Sequence, residues 1–247
     1  MNAELTPVPR PYTRTRVKVC GLTREHDVDA AVAAGVDAVG FVLYPPSARF
    51  VSATRAAELA KRLPPFVTPV LLFVNASAIE IIAACAGIPG ATVQFQGDES
   101  PAECLQIARP FIRAARIALD EDGFDNTPAM PGFDLIEFAS NFSAAQAILL
   151  DAHVAGYGGG GKVFNWSRLP TNVNAHLVLS GGLTPANVAA GIAQLRPRCA
   201  PDYSLAVDVS SGVETAKGIK SAELMHQFTA AVRAADQSLF AQQNLSP

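Results

Sequence analysis

The feature that most constrains the fold is a repeated alternation between short apolar runs and alanine-rich segments with helical spacing. The apolar runs are continuous and lack an alternating polar face, which is typical of strands that are buried on both sides of a parallel sheet. Turn residues separate each run from the helical segment that follows it. We predict eight strands, near residues 17–20, 38–43, 70–74, 92–94, 116–119, 148–151, 177–180 and 205–209.

Eight strand–helix units without a break in composition favour a single α/β domain, a closed (β/α)8 or TIM barrel. The 247 residues of the chain suit one domain of this kind. We predict a disordered N-terminal extension at residues 1–15, the barrel at 16–237 and a C-terminal tail at 238–247. The fifth unit is expected to be irregular, because residues 120–145 are rich in Asp, Pro, Gly and Asn. The main alternative is an open, doubly wound sheet.

Composition and charge exclude several classes of function. The chain has 19 basic and 22 acidic residues and no block of like charge, so it lacks the positive surface that nucleic-acid binding requires. Its apolar stretches are far shorter than the roughly 20 residues of a membrane-spanning helix, and its start has no apolar signal-peptide core. The four cysteines show no CxxC spacing. We therefore expect reduced thiols and a cytoplasmic protein without membrane or nucleic-acid partners.

Polar residues follow the predicted strands at their carboxyl ends, the face that carries the active site in such barrels. Cys20 ends the first strand and Asp151 the sixth, a candidate acid–base pair if the thiol pKa moves from its reference value of about 8.5. Cys20 could equally be a small buried apolar residue, and Asp151 a structural carboxylate. Arg49 could clamp a substrate carboxylate or be a solvated loop charge. Asp208 could orient a substrate or satisfy donors at the barrel mouth.

Two glycine-containing loops predict a phosphate site. Gly181 and Gly182 follow the seventh strand, and Ser211 and Gly212 follow the eighth. Glycines let backbone N–H groups approach an anion closely, and barrels often bind phosphate at these two loops. Serine and glycine are also ordinary turn residues, but their presence in both loops together favours phosphate binding.

A third glycine-rich segment, residues 156–162, fits the first part of a nucleotide-binding P-loop. The next residue is Val163, which lacks the hydroxyl that would bind magnesium. The segment that follows is also a poor start for the long helix that a P-loop requires. We interpret residues 156–162 instead as a loop that closes over a bound ligand, with Gly160 and Gly161 allowing the movement and Lys162 facing an anion.

Six segments, spread in order from about residue 16 to residue 235, carry a resemblance to one family. They are Val-Lys-Val-Cys-Gly-Leu-Thr at 17–23, the segment 37–52, Leu-Leu-Asp at 149–151, the loop 158–166, the segment 177–188 and Ala-Val-Asp-Val-Ser-Ser-Gly-Val-Glu at 206–214. Together they resemble the phosphoribosylanthranilate isomerases. The resemblance implies an Amadori rearrangement in tryptophan biosynthesis, which converts N-(5′-phosphoribosyl)anthranilate into 1-(2-carboxyphenylamino)-1-deoxyribulose 5-phosphate with no metal and no organic cofactor.

The resemblance also implies a role for each candidate residue. Asp151 would be the general acid that protonates the furanose oxygen, and Cys20 the general base that removes the proton from C2′. Arg49, Gln96 and Asp208 would bind the substrate, with Arg49 on the anthranilate side, and the two loops after strands seven and eight would hold its phosphate. The partner would be this small phosphoribosyl substrate, and the enzyme a monomer or a homodimer.

Two positions depart from the usual pattern of that family. Gln-Gly-Asp at 96–98 replaces His-Gly followed by an acidic residue, so the side chain of Gln96 can form hydrogen bonds but cannot titrate near neutrality. Asn165 replaces an aspartate, which removes a negative charge. A catalytically silent phosphate-binding barrel therefore remains an alternative. Another phosphosugar barrel, such as an indoleglycerol-phosphate synthase, is a further one, although the lysine acid of the synthases is missing.

Overall fold

Eight parallel strands close into a barrel in this computed structural model, which describes residues 14–118, 133–153, 165–200 and 202–245. The strands are β1 (Arg16–Cys20), β2 (Ala38–Val42), β3 (Thr68–Phe73), β4 (Thr92–Phe95), β5 (Phe111–Ala118), β6 (Ala147–His153), β7 (Leu177–Leu179) and β8 (Leu205–Val209). β1 pairs with β2 on one side and with β8 on the other, so the sheet has no free edge. The predicted (β/α)8 barrel is confirmed, and the open-sheet alternative is wrong.

Helices follow most of the strands. They are α1 (Glu25–Ala34), α2 (Ala53–Ala60), α3 (Ala78–Ala86), α4 (Pro101–Gln106), α5 (Leu135–Asn141), α6 (Val188–Leu195) and α7 (Ala222–Leu245). A short 3₁₀ helix, Trp166–Arg168, precedes β7, and a hairpin of β9 (Glu214–Ala216) and β10 (Ile219–Lys220) follows β8. None of the helices in the described ranges has the length and apolar character needed to cross a membrane.

Local sequence signals explain where several helices begin and end. The hydroxyl oxygens of Ser77, before α3, and Ser100, before α4, each accept a hydrogen bond from the backbone N–H of the residue three positions later. That residue is a glutamate in both cases, and its carboxylate accepts a hydrogen bond from the backbone N–H of the serine. These capping boxes satisfy backbone N–H groups that the first helical turn leaves unpaired. Gly35 ends α1 at a φ of 78°, a left-handed conformation that glycine adopts without strain.

The start of β5 differs from the sequence-based prediction. The strand begins at Phe111, well before the predicted residue 116, and so contains a buried arginine, Arg113. The guanidinium of Arg113 donates to the backbone carbonyls of Phe95 and Gly97, at 3.1 and 3.0 Å. The partners of this buried charge come from another strand and the loop after it, and a local pattern of apolar residues cannot reveal them.

Two helices include residues for which we predicted no helix from the sequence. The helix α5 lies within residues 120–145, where we expected irregular structure, and it begins because the Asp134 carboxylate accepts hydrogen bonds from its first backbone N–H groups. Residues 119–132 of the same segment lie outside the described part of the chain. The helix α7 continues to Leu245, into the residues that we assign to a C-terminal tail at 238–247.

The apolar core has two parts, because successive strand residues point to opposite sides of the sheet. A large cluster fills the space between strands and helices and includes Phe41, Leu71 and Leu150. Smaller clusters occupy the barrel interior, one of them around Cys20 and Leu72 near the carboxyl ends of the strands. The interior also holds buried polar side chains near that end, and these build the site described below.

Candidate active site

The carboxyl ends of the strands surround a pocket that brings most of the predicted site residues together. Those that line it are Cys20, Arg49, Gln96, Asp151, Gly181, Gly182, Asp208 and Ser211. Gly160, Gly161 and Lys162, predicted to close over a ligand, lie outside the described residues. Among the described residues, no three His, Cys, Asp or Glu side chains are arranged to hold a metal ion.

Cys20 ends β1 and is buried against the neighbouring strand β2. A Cβ atom at Gly40, its register partner on β2, would lie 2.6 Å from the Cys20 sulfur, so a glycine at position 40 is what leaves room for the thiol. Burial raises the pKa of the Cys20 thiol, and the nearby positive charges of Lys18 and Lys220 offset only part of that increase. The thiol is therefore mainly protonated at neutral pH.

Lys18 and Asp208 form a buried ion pair below the thiol. The Lys18 Nζ donates to Asp208 Oδ1 at 2.9 Å, and the two side chains are 5% and 6% exposed. Burial lowers the pKa of Lys18, but the negative charges of Asp208 and of the Cys20 thiolate, with the hydrogen bond to Asp208, outweigh it and raise this pKa to about 12. We did not select Lys18 from the sequence, although a lysine inside an apolar strand is a signal that it needs a buried partner.

Asp151 in β6 is connected to β4 through two glutamines. Gln96 Nε2 donates to Asp151 Oδ2 at 2.8 Å, and Gln94 Nε2 donates to Gln96 Oε1, also at 2.8 Å. Both glutamines are buried, whereas Asp151 is partly exposed to the pocket. The sequence analysis did not select Gln94, and the available signal was again a polar residue within a buried strand.

Arg49 in the loop after β2 is held by an acidic residue of the β9–β10 hairpin. Its Nε and Nη2 donate to the two carboxylate oxygens of Glu214 at 2.7 and 2.8 Å, and Lys220 Nζ donates to the same carboxylate at 2.7 Å. Burial raises the pKa of Glu214, but the hydrogen bonds from Arg49 and Lys220 prevail and lower it. Glu214 and Lys220, which the sequence analysis did not select, thus fix the guanidinium at the pocket wall.

The two loops predicted to hold phosphate are in contact with each other. Gly181 and Gly182 have φ values of 79° and 64°, in the left-handed region that favours glycine. A Cβ atom at Gly212 would lie 1.8 Å from the carbonyl oxygen of Leu183, so the loop after β8 packs directly on the backbone of the loop after β7. Gly181, Gly182 and Ser211 line the pocket, whereas Gly212 lies where the two loops meet and is not a lining residue.

The comparisons with known proteins agree on one family. The sequence model described as N-(5′-phosphoribosyl)anthranilate (PRA) isomerase matches residues 17–231. A relative of that name from Methylibium petroleiphilum is 60% identical over 223 residues, which cover 90% of this chain and 96% of the relative.

Solved structures of the same name share the fold. The phosphoribosyl anthranilate isomerase from Thermotoga maritima has a TM-score of 0.72 and 36% identity, and the match covers 89% of this chain and 99% of that one. A second structure, in complex with reduced 1-(o-carboxyphenylamino)-1-deoxyribulose 5-phosphate, has a TM-score of 0.68 and 33% identity over the same shares. The chain therefore belongs to the N-(5′-phosphoribosyl)anthranilate isomerase family.

Proposed function

We propose that this chain isomerises N-(5′-phosphoribosyl)anthranilate with Asp151 as the general acid and Cys20 as the general base. Family membership makes the chain an isomerase of tryptophan biosynthesis, and the roles of the two side chains are our assignment. The observation that carries it is that a carboxyl and a thiol, from the ends of β6 and β1, line one pocket that also contains two glycine loops suited to a phosphate.

The first step opens the furanose ring. Asp151, in its protonated form, transfers its proton to the ring oxygen. The bond between C1′ and that oxygen breaks with its electron pair remaining on oxygen, while the nitrogen lone pair forms the C1′=N bond of an iminium ion. A positioned carboxylic acid suits this step because the oxygen gains negative charge as the bond breaks. Asp151 is left as a carboxylate, which the N–H of Gln96 stabilises.

The second step removes the proton from C2′. Cys20, as a thiolate, takes this proton, and the electron pair of the C–H bond forms the C1′=C2′ double bond and neutralises the nitrogen. The resulting enolamine tautomerises to the ketone. Burial raises the pKa of the thiol, but the positive iminium ion next to the sulfur adds to the charge of Lys18 and favours the thiolate.

The remaining side chains of the pocket bind the substrate. Arg49 supplies a positive charge for the anthranilate carboxylate, and its pairing with Glu214 limits the side-chain entropy lost on binding. Asp208 contacts the ribose portion, and the backbone N–H groups at residues 181–182 and 211–212 bind the phosphate. We further propose that Lys162 and its neighbouring glycines close over the substrate, and that the enzyme acts in the cytoplasm as a monomer or homodimer.

The test is turnover of N-(5′-phosphoribosyl)anthranilate without added metal, followed by the loss of anthranilate-type fluorescence. Cys20→Ala and Asp151→Asn are each expected to lower kcat by about 100-fold or more, the usual range for loss of a general acid or base. Cys85→Ala is the matched control, because Cys85 is a buried thiol in α3 outside the pocket. Full activity of either site variant would refute its assignment, and a wild type that binds sugar phosphates without turnover would indicate the catalytically silent barrel.

A further inference from the structure

We propose that Gln96 is a positioning residue for Asp151, and that Gln94 and Gln96 act as an amide pair able to bond Asp151 in both of its protonation states. The proposal rests on the role of Asp151 as the general acid, stated above. It changes the role of Gln96, which the sequence analysis places among the residues that bind substrate, and it gives a role to Gln94, which that analysis leaves unassigned.

The hydrogen bonds of Gln96 are directed within the protein. Its Oε1 accepts from Gln94 Nε2 and its Nε2 donates to Asp151 Oδ2, each at 2.8 Å. Gln96 is 7% exposed and Gln94 only 1%. The carbonyl of Gln96 is thus occupied by Gln94, and its amide nitrogen faces the carboxylate, so the side chain acts on the acid more directly than on a ligand in the pocket.

The buried amide oxygen of Gln94 allows a second hydrogen-bond arrangement of the two glutamines. Gln94 Oε1 has no hydrogen-bond partner among the described residues, which is unusual for a buried polar atom. It lies on the same amide group as the nitrogen that donates to Gln96. If both amide groups turn by half a rotation, Gln96 Nε2 donates to this oxygen, and Gln96 Oε1 faces Asp151.

The two arrangements match the two forms of the acid. In the observed arrangement Gln96 donates to the Asp151 oxygen, which suits a carboxylate. In the rotated arrangement Gln96 accepts, which suits a protonated carboxyl group that donates its O–H. Each arrangement contains one bond between the glutamines and one bond to Asp151, so the pair favours neither protonation state by the number of bonds. Such a neighbour suits an acid that must lose its proton and regain it in every turnover.

A titrating side chain at position 96 would behave differently. A protonated imidazole can only donate, and it would favour the ionised form of Asp151 through its charge. The amide of Gln96 keeps the same charge at every pH. The glutamine pair therefore supports Asp151 without adding an ionisation of its own to the acid.

The test uses the full chain with Gln96→Met, Gln94→Met and the double substitution. We expect Gln96→Met to lower kcat by about tenfold or more while KM for N-(5′-phosphoribosyl)anthranilate changes less than about twofold. Gln94→Met should lower kcat less, and the double variant should be no slower than Gln96→Met, because Gln94 acts through Gln96. A rise in KM with unchanged kcat would show a substrate contact instead, and independent, multiplying effects of the two substitutions would refute the pair.

A second variant at position 96 tests the proposal even if methionine disturbs the folding of the barrel. Gln96→Glu keeps the shape but removes the donor, so it should lower kcat as Gln96→Met does, and a wild-type kcat in this variant would overturn the proposal. Asp151→Asn distinguishes failure of the acid role of Asp151 from failure of the positioning role of Gln96. If Asp151→Asn keeps wild-type activity, the acid assignment itself fails. If Asp151→Asn is inactive while Gln96→Met and Gln96→Glu keep wild-type kcat, only the role of Gln96 fails.

Discussion

At the scale of single residues, the base of the pocket holds two oppositely charged side chains inside a mainly apolar barrel. Lys18 and Asp208 neutralise each other in this buried place, and together they keep a positive group near Cys20. Removing water from such a pair has a large free-energy cost, which replacement by apolar residues would avoid. Its position below the thiol gives the pair a use in the reaction, because its ammonium group stabilises the thiolate relative to the thiol.

The raised pKa of Cys20 predicts the pH at which this side chain becomes a thiolate. The base must be a thiolate, and a raised pKa means that the thiolate is lost at a higher pH than in an exposed cysteine. We therefore expect the alkylation rate of Cys20, which depends on the thiolate alone, to increase with pH through the neutral range and to level only in the alkaline range. Lys18→Gln should move this rise to still higher pH, because it removes the positive charge closest to the sulfur while keeping a donor for Asp208.

The measurement is the rate at which iodoacetamide alkylates Cys20, as a function of pH. The control is Lys61→Gln, since Lys61 is an exposed lysine at the end of α2. A Lys18→Gln variant with an unshifted pH profile would contradict the influence of Lys18 on the thiol. A wild-type alkylation rate that is constant from acid to alkaline pH would contradict the raised pKa of Cys20.

At the scale of elements, the sequence predicts those strands whose signal is local. β1 and β8 are mainly apolar runs that contain one charged residue each, Lys18 and Asp208, and their predicted and observed bounds agree to within a residue. The start of β5 is misjudged because two acceptors of the buried Arg113, the carbonyls of Phe95 and Gly97, lie in another strand and the loop after it. The site residues divide in the same way. Cys20 and Asp151 can be predicted from the sequence because they stand at the ends of predicted strands. The partners of the polar strand residues cannot be predicted, because Lys18 and Asp208 are 190 residues apart in the sequence.

The contact between the loops after β7 and β8 leads to a prediction about phosphate binding. Gly212→Ala would place a methyl group 1.8 Å from the Leu183 carbonyl oxygen, so the two loops must separate. We expect KM for N-(5′-phosphoribosyl)anthranilate and the inhibition constant of inorganic phosphate both to rise by about tenfold, the loss of roughly one charge-assisted hydrogen bond. Gly90→Ala is the matched control, because a Cβ atom at Gly90 meets nothing within 4 Å. Unchanged values of both constants would exclude this loop pair as the phosphate site.

At the scale of the whole molecule, the two ends of the barrel have different tasks. The carboxyl ends of the strands carry the pocket, whereas the opposite end holds the segment before β1 against the last helices. There Asp236 of α7 accepts hydrogen bonds from the backbone N–H and the hydroxyl of Thr15, at 2.7 and 2.6 Å. Arg196, just after α6, donates to the same hydroxyl at 2.6 Å. This buried network joins the start of the barrel to its final strand–helix units.

Because this network lies away from the pocket, its loss should affect stability and leave catalysis unchanged. Asp236→Ala leaves the Thr15 N–H without its buried acceptor and removes the carboxylate that Arg196 contacts at 3.4 Å, and we expect the free energy of unfolding to fall by about 3 kcal/mol. Urea unfolding measures this change, and kcat/KM in the absence of urea should stay at the wild-type value. Asp29→Ala is the control, because the ion pair of Asp29 with Arg62 is exposed and its loss should barely move the urea midpoint. A loss of kcat/KM in folded Asp236→Ala would show that this end of the barrel is coupled to the pocket, contrary to the division of tasks between the two ends.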